Sequence, residues 1–289
     1  MFYLLAILSM IGYGVQTSLL AHLSRKMDAL DMTLYRNLSF IVTLSPLLLF
    51  VNGAEIAQVF QYWPQLLIMG VMAVLALWGV FISFRYLPIG IVFALRSGMV
   101  AIFVALMGYL FLAEMLSIWA IGLIILAIIA TVFLAVQKNH MPHLNEKALI
   151  GILSLLLTAI PASVTVFMAG WLSRQVHPFV AGYFWEAAIA LMALLAVMLR
   201  CVFTQRKVKW LGWKEAGKIA LAAWPTLIGT GAFTLAASQG PIAIVSAIGL
   251  ASTVVATLMA HYLFHEKLNT KQWLGMIVVL LIVAGMKFV

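Results

Sequence analysis

Long apolar stretches alternate with short breaks that are polar or carry Pro or Gly. They lie near residues 2–22, 31–51, 63–85, 89–112, 117–136, 148–171, 179–203, 217–238, 241–264 and 270–288. Each is about the length an α-helix needs to cross roughly 30 Å of hydrocarbon at 1.5 Å per residue. The pattern therefore predicts an all-α integral membrane protein with ten transmembrane helices, spans 1 to 10, and no room for a soluble domain. The clearest breaks are Asn139 to Lys147, with Pro142, and Thr204 to Lys218, where Lys and Arg alternate with Trp210 and Trp213. Such a segment suits a short amphipathic helix anchored at the headgroups. Span 1 starts without a basic flank or an obvious cleavage site and is expected to stay as a helix.

Self-similarity adds an architecture to the count. Leu23-Ser24-Arg25 recurs as Leu172-Ser173-Arg174 at an offset of 149, and Leu112-Ala113-Glu114-Met115-Leu116-Ser117 resembles Phe264-His265-Glu266-Lys267-Leu268-Asn269 at an offset of 152. The expected division is a five-helix repeat over 1–137, a linker over 138–147 and a second five-helix repeat over 148–289. Five is odd, so the second half enters the membrane upside down relative to the first. Two inverted five-helix repeats are a mark of secondary transporters.

Composition agrees with lipid and excludes water. Hydrophobic residues make up 65% of the chain, against 17 Lys+Arg and 8 Asp+Glu, and soluble domains carry about 25% charged residues. The formal charge of +9 sits mostly at helix ends, so it reports membrane topology and not a nucleic-acid partner. Arg25, Lys26, Arg85, Lys138, Lys147, Arg200, Lys267, Lys271 and the basic run from Arg206 to Lys218 fall on the side of the odd-numbered connections; Arg174 and Lys287 fall on the other. The positive-inside rule then puts both termini outside. Cys201, the single cysteine, permits no internal disulfide and reads as a packing residue.

Several of these residues resemble a known family. The ten-span division, Tyr35-Arg36 early in span 2, and the helix-ending Leu-Phe-Leu-Ala-Glu (110–114) and Leu-Phe-His-Glu (263–266), each with Leu two residues after the Glu, are similar to EamA-type members of the drug/metabolite transporter superfamily. The resemblance covers nearly the whole chain. It departs in the second half, where Trp185-Glu186 stands near the place of Tyr35-Arg36. It implies movement of small polar metabolites, often amino acids, across the cell (inner) membrane by alternating access without ATP. It also implies cytoplasmic termini, against the charge count.

Charged residues inside spans supply the candidate site. An ionised side chain at helix centre costs about 2.5–3.5 kcal/mol on insertion scales, so such groups usually face a wet interior. Arg36 lies close enough to the start of span 2 to snorkel to the interface. Arg96 and Glu186 lie roughly 10 Å deep from opposite sides, and a cation and an anion converging at midplane would suit a zwitterion. Their plainer reading is an ion pair locking two helices. Burial favours the protonated form of a carboxylate, which makes Glu186 a proton-coupling candidate; His261 and His22 are others, though both sit near span ends.

Polar positions at helical spacing extend this site. Ser9, Tyr13 and Gln16 form a stripe on span 1, and Ser154, Thr158, Pro161 and Thr165 form one on span 6. At the offset of 149, Gln16 falls on Thr165 and Ser9 on Thr158. Span 9 carries Ser246, Gly249, Thr253 and Thr257, and Ser97 adjoins Arg96. Close helix packing is the simpler use of such stripes, but their recurrence between repeats points to a shared cavity. Expected substrate contacts are Arg96, Glu186, Gln16, Tyr13, Ser97, Thr165 and Thr253, with Trp78, Trp171 and Trp185 as aromatic walls. Pro161 is expected to kink span 6 at the site, whereas Pro88 and Pro241 sit at helix starts. Glu114 and Glu266 are read as caps of spans 5 and 10.

Other motifs lack their context. Gly212 to Lys218 reads Gly-x-x-x-x-Gly-Lys, but Ile219 replaces the required Ser/Thr and no strand precedes it, so ATP binding is rejected. His140-x-x-His143 is too isolated to hold a metal. No catalytic constellation can be assembled within the spans, so no cofactor is expected and an enzyme is disfavoured. The expectation is a secondary transporter of a small polar or zwitterionic, amino-acid-like metabolite, with membrane lipid around it and protons as a coupling partner. Alternatives are a flippase for a lipid or lipid-linked substrate, and a transporter of a cationic amine or nucleobase.

Overall fold

The structure, a computed structural model, describes residues 1–24, 27–87, 89–136, 146–204, 211–264 and 268–288. Strands are absent among them. Span 1 is Phe2–Ser24, span 2 Ala29–Thr43, span 3 Trp63–Tyr86, span 4 Ile89–Leu112, span 5 Ile118–Val136, span 6 Glu146–Gln175 and span 7 Pro178–Thr204. Span 8 joins helices Trp213–Ala223 and Thr226–Gln239, span 9 joins Ile242–Ile248 and Ser252–Phe264, and span 10 is Thr270–Gly285. Among the described residues, nine helical stretches are long and apolar enough to cross a membrane, and a tenth, Ile118–Leu134, is shorter. At roughly 26 Å by the rise per residue it still matches the hydrocarbon to within a few ångströms.

Local chemistry sets the helix ends. Asp28 caps span 2 by accepting from Leu30 N at 3.0 Å, Ser117 Oγ accepts from Ala120 N at the start of span 5, and Asn269 with Gln272 forms a capping box on span 10. Pro46 ends the α-helical part of span 2, which continues as the 3-10 turn Ser45–Phe50.

The interruptions of helix lie outside span 6. Span 6 runs helical through Pro161; the interruptions fall in span 8, at Trp224-Pro225, and in span 9, where Gly249–Ala251 is 3-10. The proline-free break in span 9 could not be placed by looking for proline. Of the segment expected as an amphipathic interfacial helix, residues 205–210 lie outside the described residues, and from Trp213 onward the segment is the first turn of span 8, with Trp213 fully exposed at the bundle end.

The two halves interlock. Span 1 packs on span 8 and span 3 on span 6; span 2 packs on span 7, span 4 on span 9 and span 5 on span 10. Adding five to each span number maps this set of pairs onto itself, as an approximate two-fold axis between the halves requires. Close backbone approach holds the first crossings. A Cβ at Gly12 would lie 2.6 Å from Gly229 N, and one at Gly79 would lie 2.4 Å from Thr158 Cγ2. Small residues let membrane helices come this near. Large apolar side chains such as Leu4, Leu8, Ile129, Leu157 and Leu281 face outward, as lipid-facing positions do.

Candidate functional site

A cavity of about 190 Å³ lies between the halves, lined by residues of spans 1, 2, 3, 4, 6, 7, 8 and 9. Along span 1 it runs from Ser9 to Leu20, roughly 16 Å at the helical rise. The 3-10 break in span 9 opens onto it through Gly249, flanked by Ser246 and Ser252. Irregular backbone at this depth is tolerated where it lines a cavity.

The charged groups on the lining, among the described residues, are Arg36, Arg96 and Glu186. Arg36 does not snorkel. It is 8% exposed, lies over the Phe40 ring at 4.6 Å, and donates from Nη1 to Asn37 Oδ1 at 2.9 Å. Asn37 Nδ2 in turn donates to Glu186 Oε2 at 2.8 Å, and Arg36 Nη1 stands 3.9 Å from the same oxygen. The other carboxylate oxygen accepts from Thr230 Oγ1 at 3.3 Å, and Thr230 shares a 2.9 Å hydrogen bond with Tyr13 OH. With Thr230 donating to the carboxylate, Tyr13 donates to Thr230, and every member of the chain is satisfied.

The sequence-based site is thus partly redrawn. Arg96, Glu186, Gln16, Tyr13, Ser97 and Thr165 all line the cavity, as does Trp185. The plainer alternative of an Arg96–Glu186 ion pair gives way to Arg36–Glu186, because spans 2 and 7 pack face to face. Thr253 is buried behind the lining, and its place is taken by Ser246 and Ser252. Trp78 is absent from the lining and 45% exposed on the outer side of span 3. Trp171 packs edge-on against Tyr62 at 5.5 Å. His261 stacks near Tyr262 and Trp273 away from the cavity. The side chain of His22, and Pro88, Glu266, His140 and His143, lie outside the described residues.

Asn37 and Thr230 were not singled out from the sequence. A signal existed for both: Asn37 is 149 positions before Glu186, the repeat offset, and Thr226, Thr230 and Thr234 recur every four residues on span 8.

At one end of the bundle a second cluster ties four spans together. Arg174, at the end of span 6, donates to Glu114 Oε1 at 2.6 Å, to Ala237 O at 2.9 Å and to Gly240 O at 2.7 Å. Glu114 also accepts from Ile242 N and Ala243 N at 3.1 and 3.5 Å. It therefore caps span 9, not span 5, whose own cap is Ser117. Ala113, with φ at 51°, turns the chain so that Glu114 points back across the bundle.

A polytopic bundle of two repeated halves with a buried polar cavity between them is the build of a membrane transporter. The chain belongs to the EamA-like transporter family, whose model matches residues 1–136 and 149–288. Members of that family are transporters, not enzymes. A crystal structure of a protein 15% identical covers 96% of this chain and 94% of its own at a TM-score of 0.69, which shows a shared fold. None of the curated proteins compared matches this chain.

Proposed function

We propose that the protein is a secondary transporter that carries a small polar metabolite across the cell membrane by alternating access, with the cavity as its binding site and no ATP. The observation that carries this reading is the convergence of Arg36, Arg96 and Glu186 on one cavity walled by both halves, with Arg36 and Glu186 buried. Charges in hydrocarbon are costly unless they are paired or meet a polar ligand, and rocking one half against the other would expose such a cavity to each side in turn. Arg96 is the group for a substrate carboxylate, with Gln16, Ser97, Thr165 and Ser246 as hydrogen-bonding walls. Glu186 holds Arg36 and Thr230 in place, which makes it a poorer partner for a substrate ammonium than its depth alone suggests. Counter-flow of labelled metabolites in proteoliposomes tests the reading: exchange that depends on unlabelled substrate inside supports it, and turnover of the label into a new compound would overturn it.

A further inference from the structure

The hydrogen-bonding capacity left unmet in the cavity is on the donor side. Arg96 Nε and Trp185 Nε1 are buried with no hydrogen-bond partner among the described residues, and both residues line the cavity. Neither nitrogen can accept a hydrogen bond. Ser246 Oγ, also buried on the lining without a partner, is able to donate as well. Glu186, the carboxylate on the same lining, already takes Asn37 on one oxygen and Thr230 on the other, with Arg36 beside it. Two guanidiniums against one carboxylate leave a positive charge uncompensated.

We propose that the carried solute is an organic monocarboxylate, its carboxylate seated on the Arg96 guanidinium with the Trp185 Nε1–H as a further donor. This rests on the transporter reading above and narrows it to a substrate class. A planar carboxylate matches the forked donors of a guanidinium, and one negative charge balances the one unpaired cation. Phe81, Phe233 and Val100 offer an apolar wall for the body of the acid. A cationic amine meets like charge and leaves both N–H groups unmet. A zwitterionic amino acid brings the carboxylate together with an ammonium whose one anionic partner on the lining is already occupied. Sites built to satisfy buried polar groups discriminate strongly against ligands that leave them bare, by up to about 10⁴-fold.

The test uses the full chain in proteoliposomes and three matched labelled series of three to six carbons: 2-oxo acids, the corresponding α-amino acids and the corresponding primary amines. The 2-oxo acids are expected to exchange at least about tenfold faster than the other two series. Arg96→Ala should lower their exchange about tenfold or more and Arg96→Lys less. Trp185→Phe, which keeps an aromatic side chain, though a smaller one, and removes the N–H, should raise KM about threefold or more with the maximal rate within about twofold. Faster exchange of amino acids or amines, or Arg96→Ala carrying the acids at the wild-type rate, overturns the assignment and leaves the transporter reading standing. Failure of a protein that melts cooperatively to move any of the three series also overturns the assignment, while the transporter reading falls only if counter-flow is absent for other small polar metabolites as well.

Discussion

Asn37 and Glu186 are separated by 149 positions and joined by a 2.8 Å hydrogen bond, so residues at equivalent places in the two repeats meet each other. Only side chains next to a two-fold axis can do this, and that fixes the axis between spans 2 and 7, beside the cavity. The neighbouring equivalents, Arg36 and Trp185, both line the cavity.

Asn37 bridges the charge pair by donating to Glu186 and accepting from Arg36. Asn37→Leu, close in volume, removes both bonds and leaves buried charged groups short of partners, a loss of about 1–3 kcal/mol. A lower melting midpoint in detergent and loss of most transport are expected. A variant that melts and transports like wild type would remove Asn37 from the site.

Glu186→Gln keeps an acceptor for Asn37 and Thr230 but leaves Arg36 without its counter-charge. Removing one partner of a buried pair costs about 3–5 kcal/mol in soluble proteins. Destabilisation should be larger than for Thr230→Val, and the double variant Arg36→Met with Glu186→Gln should recover part of it. Absence of recovery in a thermal-melt cycle would show that the two groups do not act as a pair.

Glu114 links span 4 to spans 6 and 9 through Arg174 and the N–H groups of Ile242 and Ala243. Glu114→Ala should lower the melting midpoint, as loss of a helix cap does by about 1 kcal/mol, and more through the ion pair. In a double-mutant cycle with Arg174→Ala a coupling of roughly 1 kcal/mol or more is expected; additive effects would mean that the cluster is ornamental.

Gly12 packs against the backbone of Gly229, with a Cβ calculated to fall 2.6 Å from Gly229 N. Gly12→Val should separate spans 1 and 8 and abolish folded protein, whereas Gly122→Ala, with nothing within 4 Å of its Cβ, should be neutral. Fluorescence-detected size exclusion of the two variants reads the difference.

Orientation is decided by charge if the positive-inside rule holds for this chain. Cysteine placed beside Met1, in a Cys201→Ser background, should then react with an impermeant maleimide from outside intact cells. Reaction only after the cells are opened would show that the family's cytoplasmic termini prevail over the charge count.

The sequence by itself determined the lipid environment, the helical class, the ten-span count and the division into two repeated halves. These follow from the length and spacing of apolar runs and from repeated short segments, which are local properties. Arg96, Glu186, Gln16 and Thr165, which line the cavity, stood out in the sequence because polar groups in apolar helices are rare enough to be noticed one by one. Tertiary structure alone decided their partners. Arg36 turned inward and took Glu186, Trp78 turned toward lipid, Thr253 slipped behind Ser246 and Ser252, and Glu114 capped a helix in the other half of the chain. Depth along a helix can be counted in residues, but the direction a side chain faces depends on how helices rotate against one another. That rotation is set by close contacts such as Gly12 on Gly229, between residues far apart in the chain.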